Sequence, residues 1–393
     1  MIQYENHCVP AADGRAVKGM VLVEFIKGAD LSFLPDVERR GGVFRDAGRQ
    51  SDPLEILKRY GIGWVRLRLW NDPYDENGAE YGGGTCDLSM VLAMARRVKR
   101  AGMKWLLDIQ YSDFWTDPGV QTPPKAWRGL DERGLEEAVY RYTRDVLCAC
   151  RAAGALPDMV QVGNELTSGL LWPTGQLWQA DRPRWGAVAR YLTAGVRAVR
   201  EEAPQAPVVI HLDHGGKNLM YREWFDHYFG LGGDCDVIGL SFYPCWHGTM
   251  AELAANLQDL ALRYRRDLVV VEAGTAFTCD SYAAWEGLDD AQRQAPTAGA
   301  DRAGSLEYPM TVEGQTAYIR DLTAALCAAP ENRGRGFFWW EPCWLPVPGS
   351  WWASRPGWEY LGKSGPGGNE WANQTLFDFD GNALPTLAAI RDL

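Results

Sequence analysis

Two glutamates stand at the ends of strand-like apolar runs, and their chemistry sets the first hypothesis. Glu165 closes the run DMVQVGNE (158–165), and Glu272 lies near the end of DLVVVEAG (267–274). A carboxylate buried at a strand end costs free energy unless it is paired or used. Two carboxyls that face each other over a cleft are the minimum set for hydrolysing a glycosidic bond, because one donates a proton and the other attacks the anomeric carbon. The alternative is that each glutamate simply pairs with a neighbouring arginine.

The elements that must position these glutamates repeat along the whole chain. Eight apolar runs are strand candidates: residues 25–31, 64–70, 103–110, 158–165, 207–213, 236–243, 267–274 and 336–342. Helical patterns lie between them, for example at residues 52–61, 87–102 and 185–203. This alternation predicts an α/β fold, a (β/α)8 or TIM barrel, in which residues 25–393 form one domain after an N-terminal extension of residues 1–24.

Side chains alternate between the two faces of a strand, which predicts the residues that face the barrel interior. The polar residues on the inward side are Arg66, Arg68, Asp108, Gln110, Gln161, Glu165, Ser241, Tyr243 and Glu272. In the seventh run, the same reasoning places Val269 and Val271 outward. Active sites of barrel enzymes lie at the C-terminal strand ends. We expect Arg66 to neutralise carboxylates deep in the barrel and Arg68, nearer the rim, to keep the nucleophile ionised.

Composition excludes several classes of partner. The net charge of −11 and the pI near 5.1 argue against nucleic acid or an anionic membrane as a partner. No apolar run reaches the ~18 residues of a membrane span. The first residues lack the pattern of a signal peptide, which predicts a cytoplasmic protein, or an extracellular one if a leader was removed. The nine cysteines form no CxxC pair, so neither a zinc site nor a disulfide framework is expected.

The chain resembles glycoside hydrolase family 53, the arabinogalactan endo-β-1,4-galactanases of clan A. The motifs that carry the resemblance span about residues 27–387, and the longest are VRLRLWNDPYDENGAEYGGG (65–84), YSDFWTDPGVQTPPKAW (111–127), VQVGNELTSGLLWP (160–173) and WANQTLFDFDGNALPTL (371–387). The resemblance implies a TIM barrel that hydrolyses internal β-1,4 linkages of galactan or type I arabinogalactan, a side chain of pectin, with retention of configuration. It implies galactan or galacto-oligosaccharides as the molecules bound, and we expect a monomer without a cofactor.

The resemblance also implies roles for individual residues. Glu165 would be the acid/base, Glu272 the nucleophile, and Tyr243 a hydrogen-bond donor to that nucleophile. Retention requires the two carboxyl groups to be roughly 5–5.5 Å apart. The residues implied to line the −1 subsite or its surroundings are Arg68, Asp113, Trp115, Asn164, Trp246, His247 and Trp340. The chain departs from the family pattern at Gln110, where His is usual, which we expect to change local substrate contacts rather than the reaction.

Tryptophans are concentrated after the eighth strand candidate. Residues 340–371 contain six of them, and flat aromatic rings cover the apolar faces of sugars at small entropy cost. We assign Trp340, Trp344 and Trp115 to sugar binding and Trp371 to packing. The alternative is that some of these rings only cap the barrel.

A long polar segment, residues 278–311, follows the seventh strand candidate and is predicted to form a loop over the cleft. Some members of the family bind calcium near this place, and the segment offers oxygen ligands in Asp280, Asp289, Asp290 and Asp301. It has no EF-hand spacing, so a solvated acidic loop is the alternative.

Two other functions stay open from the sequence. One is another clan-A β-glycosidase, such as a mannanase or an exo-acting β-galactosidase. The other is a non-catalytic galactan-binding protein on a barrel that has lost its activity, although the presence of Glu165, Glu272 and Tyr243 argues against such a loss.

Overall fold

A computed structural model of the protein describes residues 24–178, 182–282, 298–363 and 368–393. Eight parallel strands form a barrel: β1 (Ile26–Asp30), β2 (Trp64–Leu69), β3 (Lys104–Ile109), β4 (Met159–Val162), β5 (Val208–Leu212), β6 (Val237–Phe242), β7 (Asp267–Ala273) and β8 (Gly334–Trp339). The barrel is closed because β1 pairs with both β2 and β8. The TIM barrel and all eight strand candidates are confirmed. Of the predicted N-terminal extension, residues 1–23 lie outside the described residues.

Helices follow the strands and pack around the barrel. Those in the described residues are α1 (Leu34–Arg39), α2 (Pro53–Arg59), α3 (Leu88–Arg100), α4 (Glu132–Ala152), α5 (Trp185–Glu202), α6 (Asn218–Gly230), α7 (Met250–Tyr264), α8 (Val312–Cys327), α9 (Arg355–Tyr360) and α10 (Pro385–Asp392). Side-chain caps fix several starts: Asp87 accepts from the Met90 N–H, Asp131 from the Gly134 N–H, and Thr249 forms a capping box with Glu252. No helix in these ranges is long and apolar enough to cross a membrane.

Two apolar layers hold the barrel. The outer layer, between strands and helices, contains the residues predicted to point outward on β2, such as Val65, Leu67 and Leu69. The inner layer fills the N-terminal half of the barrel interior with Ile26, Leu106, Met159, Val209, Val237, Val269, Val271 and Phe338. Polar groups are thereby confined to the C-terminal half of the interior.

The predicted orientation of Val269 and Val271 is wrong. Both valines belong to the inner layer, while Leu268 and Val270 pack in the outer one. The register between β6 and β7 shifts at this point, because Leu240 is paired with Val270 but Ser241 is paired with Glu272. The extra residue of this β-bulge lets Val271 and Glu272 both face the interior, which regular alternation forbids.

Candidate active site

A cleft of about 380 Å³ opens at the C-terminal ends of the strands. It brings together ten residues predicted for the site: Arg68, Trp115, Asn164, Glu165, Tyr243, Trp246, His247, Glu272, Trp340 and Trp344. The remaining predicted residue, Asp113, is not on the lining. Its buried carboxylate accepts hydrogen bonds from the backbone N–H groups of Asp72 (3.1 Å) and Lys125 (2.6 Å), so it shapes the loops beside the cleft.

Glu165 reaches the cleft because the backbone leaves the regular strand early. β4 ends at Val162, Gly163 has φ +81°, and Glu165 itself has φ +48° and ψ +57°. The left-handed region is costly for a residue with a side chain, so the surrounding contacts must hold Glu165 there. A single turn of 3₁₀ helix, Leu166–Ser168, then carries the chain away from the cleft.

Glu272 is held by two donors, one for each carboxylate oxygen. Arg66 Nη2 lies 2.9 Å from Oε1, and the Tyr243 hydroxyl donates to Oε2 over 3.0 Å. The donation from Tyr243 is as predicted. Arg68 was expected to keep Glu272 ionised; its charge does lower the pKa of Glu272, but the deeper Arg66 makes the direct contact and has the larger effect.

Arg68 has different partners. Its Nη1 contacts Glu341 (2.7 Å) and Asp30 (3.3 Å), and its guanidinium lies over the rings of Trp115 and Trp340 at 4.7 and 5.4 Å from their centroids. Within the described residues, Nε and Nη2 of Arg68 have no hydrogen-bond partner. Arg68 therefore keeps two donor nitrogens beside the cleft.

The two glutamates are close together and differ in electrostatic surroundings. One oxygen of each carboxyl lies within 4.8 Å of the other. Burial, followed by the charges of Glu272 and Asp213, raises the pKa of Glu165 well above its usual range. Burial also raises the pKa of Glu272, although Arg66 opposes this strongly and Tyr243 adds to that opposition. Desolvation outweighs the arginine, so the net shift of the Glu272 pKa is upward.

Asn164 and His247 complete the polar lining. Asn164 Oδ1 accepts from Arg66 (2.9 Å) while its Nδ2 donates to the Thr116 carbonyl (2.9 Å), which leaves one N–H for a ligand. His247 Nδ1 lies 3.0 Å from the Ser241 carbonyl oxygen. Burial lowers the pKa of His247 to about 4, with the nearby His214 as the next cause, so its imidazole is neutral at neutral pH.

Aromatic rings form the walls of the cleft. Trp340 and Trp246 are less than fully buried, and Trp246 is 40% exposed. Trp344 is almost fully buried and stacks on Phe33 with centroids 3.7 Å apart, so much of its surface serves packing. Trp371, which we assigned to packing, packs against Trp246 and Trp340 but also lines the cleft.

His211 belongs to the site but is not among the residues predicted from the sequence. It lies on β5 with its imidazole 2.8 Å from Ser241 Oγ and 3.0 Å from Asn164 Oδ1. The signal was present, because His211 alternates with Val209, an inward residue of the inner layer. The calcium prediction falls partly outside the described residues, which exclude Asp289 and Asp290, while Asp301 is 69% exposed in its side chain.

One group of potential metal ligands occurs in the described residues, namely Glu165, His211 and Glu272. Both ring nitrogens of His211 are already within hydrogen-bond distance of side chains, and the Arg66 cation already contacts Glu272. This donor set fits proton transfer and nucleophilic attack better than it fits a cation.

Comparison with known proteins agrees with this geometry. The family described as Glycosyl hydrolase family 53 matches residues 26–390. An endo-beta-1,4-galactanase of Bacillus subtilis (strain 168) is 36% identical over 387 residues, covering 94% of this chain and 86% of the relative. An arabinogalactan endo-beta-1,4-galactanase of Cellvibrio japonicus (strain Ueda107) is 34% identical over 370 residues, covering 92% and 89%. The solved GH53 catalytic domain of Ignisphaera aggregans is similar with a TM-score of 0.84 and 39% identity, covering 95% of this chain and 97% of that one. The chain belongs to glycosyl hydrolase family 53.

Proposed function

We propose that the protein is a retaining endo-β-1,4-galactanase that acts on galactan and type I arabinogalactan. The observation that carries the proposal is the pair Glu165 and Glu272 in the cleft, where one oxygen of each carboxyl lies within 4.8 Å of one oxygen of the other. Inverting glycosidases need about 6.5–9.5 Å between the two carboxyl groups to admit a water molecule. Membership of family 53 and the names of the two bacterial relatives support galactan as the substrate.

In the first step, a carboxylate oxygen of Glu272 attacks the anomeric carbon while the bond between that carbon and the leaving oxygen breaks. Glu165 gives its proton to that oxygen, which leaves as the hydroxyl of the departing sugar chain. A galactosyl ester of Glu272 results, and Glu165 becomes a carboxylate. The raised pKa of Glu165 favours the protonated form that this step needs. Arg66 and Tyr243 keep Glu272 ionised and oriented through its two oxygens.

In the second step, Glu165 acts as a base. Its carboxylate takes a proton from water, the water oxygen attacks the anomeric carbon, and the bond to Glu272 breaks. The hydroxyl enters from the face that the leaving group vacated, so the configuration is retained. The enzyme returns to a protonated Glu165 and an ionised Glu272, and no cofactor is required.

Substrate binding is assigned to the polar and aromatic lining. Asn164 has an N–H left for a sugar hydroxyl, and Arg68 has two donor nitrogens without partners in the described residues. Trp115, Trp246 and Trp340 offer ring surface for the apolar faces of galactose units. A monomer as the active form stays a prediction.

The proposal is tested by incubating the purified protein with linear β-1,4-galactan, type I arabinogalactan and β-1,4-mannan in parallel. We expect internal cleavage of galactan to a series of oligosaccharides, and first products in the β configuration by ¹H NMR. Calcium in the segment 278–311 stays a prediction, which elemental analysis of the purified protein checks.

Three results would contradict the proposal. Preferential cleavage of mannan would indicate another β-glycosidase, and release of galactose alone from chain ends would exclude the endo mode. First products in the α configuration would exclude retention.

A further inference from the structure

A chain of buried hydrogen bonds leads from Glu165 into the barrel. Ser241 Oγ donates to Glu165 Oε1 over 2.7 Å, and His211 Nε2 lies 2.8 Å from Ser241 Oγ. Ser241 and His211 are both fully buried, on β6 and β5 respectively. The proposed steps use neither residue, yet both are linked to the carboxyl that must carry the proton.

The direction of this chain follows from the surroundings of His211. Burial and the charge of Arg66 lower its pKa well below the usual range, so the imidazole is neutral and carries one N–H. The Glu165 backbone N–H, whose direction the chain fixes, donates to Nδ1 over 3.4 Å. Gln161 Nε2 also lies 3.1 Å from Nδ1, but its two hydrogens have closer acceptors in Asp108 Oδ1 (2.7 Å) and the Gly163 carbonyl (3.0 Å). Nδ1 is thus an acceptor, and the single N–H is on Nε2, where it donates to Ser241.

An acceptor also lies near Nδ1, but it does not reverse this assignment. Asn164 Oδ1 lies 3.0 Å from Nδ1 and already accepts from Arg66 Nη2 over 2.9 Å. A hydrogen on Nδ1 would face the Glu165 backbone N–H, whereas a hydrogen on Nε2 leaves both that N–H and Asn164 Oδ1 paired. The Ser241 hydroxyl therefore receives a hydrogen bond from His211 and directs its own hydrogen to Glu165.

We infer that Ser241 and His211 are positioning residues that select which oxygen of Glu165 carries the catalytic proton. Because Oε1 is occupied as an acceptor, the proton resides on Oε2. The same hydroxyl stabilises the Glu165 carboxylate, which forms in the first step and takes a proton from water in the second. This inference rests on the proposed role of Glu165 as acid/base and assigns two residues to that role.

Several other groups also act on the charge of Glu165. They are Glu272 on β7, Asp213 after β5, Asp117 after β3, Tyr243 after β6 and Tyr221 on α6. The carboxylates among them raise the pKa of Glu165, whereas Ser241 lowers it. Removing the Ser241 hydroxyl is therefore predicted to raise the pKa of Glu165, whereas removing the charge of Glu272 is predicted to lower it.

The test is Ser241→Ala, with Ser350→Ala as its control. Ser350 is also buried, and its hydroxyl has no hydrogen-bond partner within the described residues. A hydrogen bond to a charged group corresponds to about one pKa unit or more. We expect Ser241→Ala to raise the pKa of Glu165 by about that much, as titrated by carboxyl-labelled NMR and assigned with Glu165→Gln. The Ser350→Ala variant should leave it unchanged.

Kinetics give a second, independent measurement. The alkaline limb of kcat/KM on galactan should move to higher pH in Ser241→Ala and return towards the parent position in Ser241→Thr, which restores a hydroxyl. In a Glu165→Gln background, Ser241→Ala should cause little further loss on an activated aryl β-galactoside, because the two residues act as one unit.

An unshifted or lowered Glu165 pKa in Ser241→Ala overturns the inference. So does a loss of activity from Ser241→Ala that is equal in the parent protein and in the Glu165→Gln variant. The NMR titration needs no substrate. A protein that is inactive on galactan but shows the pKa shift would therefore refute the proposed function and leave this inference standing.

Discussion

At the scale of residues, two identical side chains have different immediate contacts, which is why we propose opposite roles for them. Glu272 lies between a cation and a hydroxyl donor, Arg66 and Tyr243, which both favour its ionised form. Glu165 accepts a hydrogen bond from Ser241 and faces negative charge from Glu272 and Asp213. The pKa of both groups is raised by burial, but among the described residues no cation pairs with Glu165 as Arg66 does with Glu272.

The first prediction tests these roles by azide rescue. Glu165→Ala should lose most activity on galactan yet react with activated aryl β-galactosides, and azide should speed turnover and give a β-galactosyl azide. Glu272→Ala should give an α-azide instead, because azide enters from the vacated nucleophile face. Product NMR checks both, with Glu137→Ala on exposed α4 surface as the control. An exchange of the two products would mean that the roles are reversed.

The second prediction concerns the pH profile of Tyr243→Phe. Active enzyme needs Glu272 ionised and Glu165 protonated, so the acid limb of kcat/KM reports Glu272 and the alkaline limb Glu165. Tyr243 lowers the pKa of Glu272, so its loss should raise that pKa by about one unit and move the acid limb to higher pH. The alkaline limb should move much less. An acid limb that stays in place would show that Tyr243 does not tune the nucleophile.

At the scale of elements, both carboxyls proposed for catalysis are presented by departures from regular strand geometry. After β4, the left-handed backbone of Gly163 and Glu165 turns the carboxyl into the cleft. On β7, a bulge brings Glu272 to the interior directly after the inward Val271. Irregular strand ends re-aim side chains in this way at active sites, at a cost that the packing around them must offset.

The third prediction tests the first of these departures with Gly163→Ala. An added Cβ would be in the left-handed region at φ +81° and 2.7 Å from Leu166 Cδ2. Gly78→Ala is the matched control, since Gly78 has φ +78° with nothing within 4 Å of the added Cβ. Both should lose about 1–2 kcal/mol of unfolding free energy. Only Gly163→Ala should also lose kcat by tenfold or more, as measured on galactan. Equal activity of the two variants would show that the cleft tolerates a displaced Leu166.

At the scale of the whole molecule, Arg66 ties the barrel together from inside. From β2, its guanidinium contacts Asp30 on β1 (2.7 Å), Asp108 on β3 (2.9 Å) and Glu272 on β7 (2.9 Å). All of these groups are buried, and Arg66 is the cation that the three carboxylates share, although Asp30 also contacts Arg68. Burial raises the pKa of Asp108 to about 7 despite that cation.

The fourth prediction follows for Arg66→Met. Removing one partner of a buried ion pair costs about 3–5 kcal/mol because charges are left uncompensated. The folded-state pKa values of Asp108 and Glu272 should then rise further above their unfolded values, near 4, and the pKa of Asp30, which Arg68 and Arg66 lower, should rise towards its unfolded value. A carboxyl with a raised folded pKa destabilises the fold above its unfolded pKa, and this loss diminishes as the pH falls. Thermal unfolding should show a larger deficit relative to the parent at pH 8 than at pH 5.

The control for this prediction is Arg141→Met, which removes an exposed arginine paired with Glu137 on α4. We expect little change in its unfolding temperature at either pH. A deficit of Arg66→Met that is the same at both pH values would show that lost packing, rather than uncompensated charge, destabilises the variant.

Both glutamates face the interior as expected, but the left-handed turn after β4 and the bulge on β7, rather than regular alternation, place them there. The barrel and its eight strands could be predicted from the sequence, because the periods of strands and helices are local properties of the chain. The sequence does not predict the partner of Glu272, the bulge at Val271, or the position of Asp113 in the loops beside the cleft. Arg66 and Arg68 share one face of β2, and only the depth of each within the closed barrel decides which one reaches Glu272. Alternation also assumes a regular strand, whereas the bulge on β7 depends on its register with β6 and β8. These choices are made by contacts between segments far apart in sequence, so only the tertiary structure decides them.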